Sequence, residues 1–200
     1  MLCVHLNNKM TIHITINQLS QVLPRQTKKI LGYMGKTEPD DEMLDMISVL
    51  DFTELDDVLW ILKYIQDKEV VDVVRQYCIV CVKFVEDVFQ QYPELVEAIA
   101  TAERFARGEE TDDVITMFKK IINSQYMYKE FPYNDPRWHS LNVLARPIRS
   151  CLHFAPWSTA WGVRNIVTDT RNLTKLGITP EKSITETIKW QEDEFRKMFA

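Results

Sequence analysis

Two hundred residues, 46% of them apolar and 26% charged, are enough for one globular core and too few for several domains. No apolar run approaches the roughly 18–20 residues that cross a bilayer, and the first nine residues lack a signal peptide's apolar stretch, so a cytoplasmic protein is expected. The net charge of -5 argues against a duplex nucleic-acid partner.

Residues 1–10 read as a disordered extension, with Met10 a second candidate start beside Met1. Thr11 to Ile16 alternates strictly, isoleucine on one side, which predicts a strand. It has no obvious strand partner, so a short internal edge or a second copy of the chain should pair with it. Helical patterns follow: Gln18 to Leu23, then Arg25 to Met34 closed by Gly35, then a helix opened by Pro39 that carries Met43, Leu44, Met46, Ile47 and Leu50. Thr53 is the expected N-cap of Glu54 to Ile65.

Glu69 to Gln91 predicts the central helix. It is apolar on most of its surface, and only Asp72, Arg75, Gln76, Lys83, Glu86 and Asp87 form a polar stripe. Pro93 opens the next helix and Gly108 closes it; Thr111 caps another with Ile115, Phe118 and Ile122 inward. Tyr126 to Pro136 reads as an aromatic loop. Arg137 to Leu152 is helical, and Pro147 should kink or split it. Pro156 opens a helix through Arg171. The last opens at Thr179-Pro180 or at a Ser183/Glu186 capping box, with Ile184, Ile188, Phe195 and Phe199 inward. The expected architecture is all-α: one bundle of about seven or eight helices over residues 11–200, with one short N-terminal strand.

Charge is unevenly spread. Lys36 to Thr116 holds 7 basic and 21 acidic residues, whereas Met117 to Lys175 holds 9 basic and 3 acidic ones. The acidic stretch suits a partner protein with a basic surface, and the basic stretch suits an anion. Between Arg137 and Arg171, the residues Arg146, Arg149 and Arg164 interleave with Trp157 and Trp161. Guanidinium charge beside a flat aromatic face is what a nucleotide or cyclic dinucleotide needs. Cys78-x-x-Cys81 with Cys151-x-His153 could supply three thiolates and an imidazole to zinc. Both pairs lie inside helical patterns, however, so buried free thiols, with no metal and no cofactor, are the simpler expectation. His13-Ile14-Thr15 has no second His-x-Thr/Ser motif, and the chain has neither a phosphate-binding glycine loop nor a Gly-x-Ser-x-Gly elbow, so no enzyme is expected.

The run Ala98-Ile99-Ala100-Thr101-Ala102-Glu103-Arg104-Phe105-Ala106-Arg107-Gly108-Glu109-Glu110-Thr111-Asp112-Asp113 resembles the A…AER.A.GE.TD signature of small helical phage and bacterial proteins. Relatives of that family are labelled immunity proteins by association with toxin loci. The opening Thr11 to Ile16, the Cys78/Cys81 helix and the Trp190-Gln191…Arg196 tail also resemble it. The Ala-rich, Trp-punctuated repeats that follow the signature in the family are matched here only by Trp157 to Trp161. The resemblance implies a non-enzymatic accessory of a phage or mobile element, acting in the host cytoplasm and neutralising a toxin or host defence factor by binding it. The alternative is a sponge that sequesters a nucleotide or cyclic-dinucleotide signal at the Arg/Trp region. A homodimer would satisfy the unpaired strand.

Overall fold

In the computed structural model, residues 11–64, 67–127 and 136–200 are described. The expected N-terminal extension, residues 1–10, lies outside them. The alternation at Thr11 to Ile16 produces strand β1 (His13–Thr15), which runs directly into helix α1 (Ile16–Val22). Helix α2 (Pro24–Met34) follows, and a second strand, β2 (Met43–Asp45), leads into α3 (Met46–Phe52). The missing partner of β1 is therefore inside the chain. The two strands pair antiparallel, His13 opposite Asp45 and Thr15 opposite Met43. This corrects the expected single strand, and strand pairing gives no support to a homodimer. It also corrects the helix predicted from Pro39, whose first apolar residues belong to β2.

The two strand–helix arms are built alike. Thr15 ends β1 and caps α1 in a capping box: the Gln18 N–H donates to its Oγ1 (3.1 Å) and its own N–H donates to Gln18 Oε1 (3.0 Å). Asp45 ends β2 and caps α3, accepting from the Ser48 N–H at 2.7 Å. Each arm also hydrogen-bonds across to the other, Ile16 N–H to Glu42 C=O and Met46 N–H to Ile12 C=O. Ile14 and Leu44 face the core side by side. The Asp45 carboxyl is held below its ordinary value, chiefly by the backbone N–H of Ser48.

Thr53 turns out to close α3, and Glu54 precedes α4 (Leu55–Leu62). The central helix α5 (Lys68–Lys83) stops earlier than its pattern suggests, and a 3-10 turn at Glu86–Phe89 takes over. After it come α6 (Pro93–Ala106), α7 (Asp112–Ile122), a π-helical turn (Asn123–Met127), α8 (Pro136–Leu152), α9 (Pro156–Thr168), the single turn α10 (Thr170–Leu173) and α11 (Ile184–Phe199). The described residues are thus an all-α, multi-helix fold with a two-stranded sheet, in more and shorter helices than the seven or eight expected. No helix among them is long and apolar enough to cross a membrane.

The chain divides into two compact units. One runs to Val73 and adds Glu192–Ala200; the other is Val74–Gln191. The core of the first holds Ile16, Leu19, Ile30, Met46, Leu59 and Phe195. The core of the second is led by Tyr77, Cys78, Cys81, Phe89 and Leu95 on the segment read as the centrepiece.

Pro147 does not split α8. Its ring takes the place of a side chain on α9: a Cβ built on Gly162 would stand 3.0 Å from Pro147 Cβ and 3.1 Å from its Cα. The buried row of α11 is Thr187, Gln191, Phe195 and Phe199, spaced four apart. Ile188, expected inward, is exposed. Two polar residues displace it because both are satisfied: Thr187 donates to the Ser183 carbonyl, and Gln191 is the centre of a hydrogen-bond network. The Ser183/Glu186 capping box forms as predicted.

Candidate functional site

The signature at 98–113 has structural work to do at the α6–α7 turn. Ala98, Thr101 and Ala102 are buried, and Gly108 adopts φ +74°, the left-handed conformation a glycine tolerates. Glu103 pairs with Lys83 at 2.8 Å, Arg104 with Glu97 at 2.9 Å, and Arg107 grips Glu109 with two bonds of 2.9 and 2.8 Å. The tail motif is structural as well. Trp190 stacks on Phe84 with ring centroids 4.0 Å apart. Gln191 Nε2 donates to the Ala160 carbonyl (3.1 Å), its Oε1 accepts from Arg164 Nε (2.7 Å), and its backbone carbonyl accepts from the Tyr77 hydroxyl (3.0 Å). Arg196 bridges Asp51 and Glu192.

The five residues singled out for a ligand separate into three groups. Arg146, Trp157 and Trp161 come together. The Arg146 guanidinium lies 4.6 Å from the Trp161 ring centre, and Trp161 stacks on Trp157 at 6.0 Å with planes 11° apart. Trp157, Trp161 and Arg164 recur along one stripe of α9, yet Arg164 is taken by Gln191. Arg149 belongs to a different set of charges.

Cys78, Cys81 and Cys151 are buried, free thiols. Burial pushes Cys78 up to about 12 and raises Cys151 well above the ordinary thiol value, so neither is a thiolate near neutrality. His153 stands apart in exposure, and among the described residues no three His, Cys, Asp or Glu are placed to hold a metal. The zinc alternative of Cys78, Cys81, Cys151 and His153 finds no ligand set. Alkylation with iodoacetamide should leave Cys78, Cys81 and Cys151 unmodified in native protein and label all three in urea; mass spectrometry of the peptides reads the difference. Fast native labelling of any of the three would contradict their burial.

The charges that sequence reading missed converge from α5, α7 and α8. The Arg75 guanidinium lies 4.7 Å from the Phe105 ring centre and 5.6 Å from that of Phe154. Its Nε is buried and has no hydrogen-bond partner, and Arg149 Nε is in the same condition. Arg149 and His153 are one turn apart, their backbones joined by the His153 N–H to Arg149 C=O bond. Lys119 completes the set. Burial, followed by the charge of Arg75, lowers its pKa, and only Asp112 among the neighbours acts in the opposite sense. His153 is lowered by burial, then by Lys119 and Arg149. Among the described residues none of Arg75, Lys119 and Arg149 makes an ion pair. Phe154, beside them, takes φ +52°, the one non-glycine left-handed residue described. In the sequence, Arg75 looks like part of a solvated stripe and Lys119 like an ordinary surface lysine; a buried guanidinium is visible only in three dimensions.

The unit containing both strands carries a different surface. Between Glu38 and Asp72 twelve acidic residues accompany two lysines. Glu38, Asp41, Asp51, Glu54, Asp67 and Glu69 are exposed. Tyr33, Met43 and Tyr64, also in this unit, are 65%, 61% and 53% exposed. An open groove of about 490 Å³ runs beside Ile12, His13, Gln18, Gln21, Tyr64 and Asp67. No family model, curated protein or solved structure matches the chain.

Proposed function

We propose that the chain acts by binding rather than by catalysis, as an accessory protein of a phage or mobile element that neutralises a toxin or host defence factor in the host cytoplasm. The observation that carries this reading is the joint exposure of large apolar side chains, Tyr33, Met43 and Tyr64, and a crowd of carboxylates on the same unit. Aromatic and methionine anchors within a charged rim are the usual anatomy of a protein interface, and the carboxylates select a basic partner and speed its approach. The resemblance of the 98–113 signature and the tail to immunity-type proteins points the same way.

The test is capture of a partner from bacterial extract by the purified chain, repeated with Glu38→Lys, Glu54→Lys and Glu69→Lys combined. These carboxylates are exposed and make no ion pair among the described residues, so the fold should survive their reversal. A basic protein should be retained by the wild type and lost, by tenfold or more in affinity, from the triple variant. Equal retention by both would end this reading.

A second reading is a nucleotide sponge at Arg146, Trp157 and Trp161. It draws on the exposed Arg146 guanidinium lying on an indole face, with no ion pair among the described residues.

A further inference from the structure

We infer that Arg75, Lys119, Arg149 and His153 form a binding site for a phosphate-bearing anion, one with at least two negative charges. This inference stands apart from the protein-partner reading and from the Arg146–Trp161 patch.

The argument starts from cost. Like charges brought together repel, and the repulsion grows as water is removed. Three permanently or nearly permanently cationic side chains share this place with a histidine, from three helices of one unit, and none of the three makes an ion pair among the described residues. A structural role would ordinarily supply carboxylates, as this chain does for Arg104, Arg107 and Arg196. Here the nearest acidic influence is Asp112, two turns away from Lys119 along α7 and not ion-paired with it. Both buried guanidinium Nε atoms hold a donor that nothing satisfies. A buried donor without an acceptor is costly and uncommon, so two in one cationic set mark an acceptor yet to arrive.

The geometry favours an oxoanion. Phe105 and Phe154 flank the Arg75 guanidinium at 4.7 and 5.6 Å, which holds its fork in one orientation and makes the region less wet. Arg149 and His153 project from successive turns of one helix end, and the chain turns sharply at Phe154 just beyond. Guanidinium forks match tetrahedral oxyanions, and a lysine ammonium adds a point charge. A single carboxylate would leave most of the positive charge unmet; a phosphate monoester or a polyphosphate would not. The site is open enough to fill, since His153 is exposed and Arg75, Lys119 and Arg149 are half-buried.

The experiment is thermal unfolding of the full chain with sodium pyrophosphate, against sodium chloride of equal ionic strength. Pyrophosphate should raise Tm by several degrees beyond the chloride control at a concentration well above its Kd. Lys119→Gln and Arg149→Gln should each weaken pyrophosphate binding at least tenfold by calorimetry. In the absence of anion, Lys119→Gln should melt no lower than the wild type, because it relieves repulsion. Arg146→Ala should keep the full pyrophosphate response, which separates this site from the sponge reading. Comparing inorganic triphosphate, a nucleoside triphosphate and a cyclic dinucleotide then separates the sources. Equal protection by the two triphosphates assigns recognition to phosphate alone; extra protection by the nucleotide brings in the base. Equal shifts in pyrophosphate and chloride, or a pyrophosphate response untouched in both glutamine variants, would overturn the inference.

Discussion

Gln191→Leu should lower the unfolding free energy by about 3 kcal/mol, one of the largest losses available from a single substitution in this chain. Leucine has nearly the volume of glutamine, so packing changes little. The loss is polar. Arg164 Nε loses its acceptor at 2.7 Å, and the amide donated to the Ala160 carbonyl disappears. A hydrogen bond to a charged donor is worth about 1.5–3 kcal/mol and a neutral one about 1, and Arg164 is left half-buried with an unmet donor. The Tyr77 hydroxyl bonds to the backbone of residue 191 and survives the substitution; Tyr77→Phe should cost only about 1 kcal/mol. Urea titration measures both. A double-mutant cycle with Arg164→Met should return a coupling above about 1 kcal/mol, since the methionine removes the stranded charge. Additive losses would mean that the two side chains do not act as a pair.

The second large effect belongs to Gly162. A leucine there must enter a space that Pro147 fills, with Cβ already 3.0 Å from the proline's Cβ and 3.1 Å from its Cα. The Cα is backbone within α8 and cannot swing aside. Overpacking of this kind costs about 1–3 kcal/mol, and the longer side chain should reach the top of that range. Gly162→Ala is a balance: its single methyl makes the same first clash, while leaving glycine gains up to about 1 kcal/mol of helix propensity. A net loss near 1 kcal/mol is expected. Adding Pro147→Ala should restore that loss, because it vacates the space and returns a backbone donor to α8. If the double variant is less stable than Gly162→Ala alone, the glycine is not serving as the socket for the proline.

How much of this was legible depends on how local each cause is. Helix α6 could be read from Leu95, Ile99 and Ala102, with Pro93 opening it and Gly108 ending it, because period, proline and glycine all act within a few residues. The Ser183/Glu186 capping box was legible for the same reason. Strand β2 was not. Met43, Leu44 and Met46 fit a helical stripe, and only β1, some thirty residues earlier, draws the first two into a ladder. The inward face of α11 was misread because Ile188 outranks Gln191 on any apolar scale. Gln191 is buried only because three distant groups meet it. Arg164 was correctly seen as an arginine with a partner to find, but that partner is internal. The set of Arg75, Lys119, Arg149 and His153 had no sequence signature, since its members lie 30 or more residues apart except for the last pair.

The matched arms β1–α1 and β2–α3 have a bearing on how the chain tolerates change. Each strand satisfies the other's edge, and each donates a carbonyl to the first amide of the other's helix. Neither arm on its own has a partner for its strand or for that amide, so the two form and open as a single event. Chain inserted between them, in the turn from Gly35 to Glu38, only lengthens a loop whose closure cost rises with the logarithm of its length. A single residue inserted within either arm is another matter. It would turn Ile14 or Leu44 from the core to water and misalign both helix starts at once. Over evolutionary time, this part of the molecule should accumulate length variation in the turn and almost none in the arms.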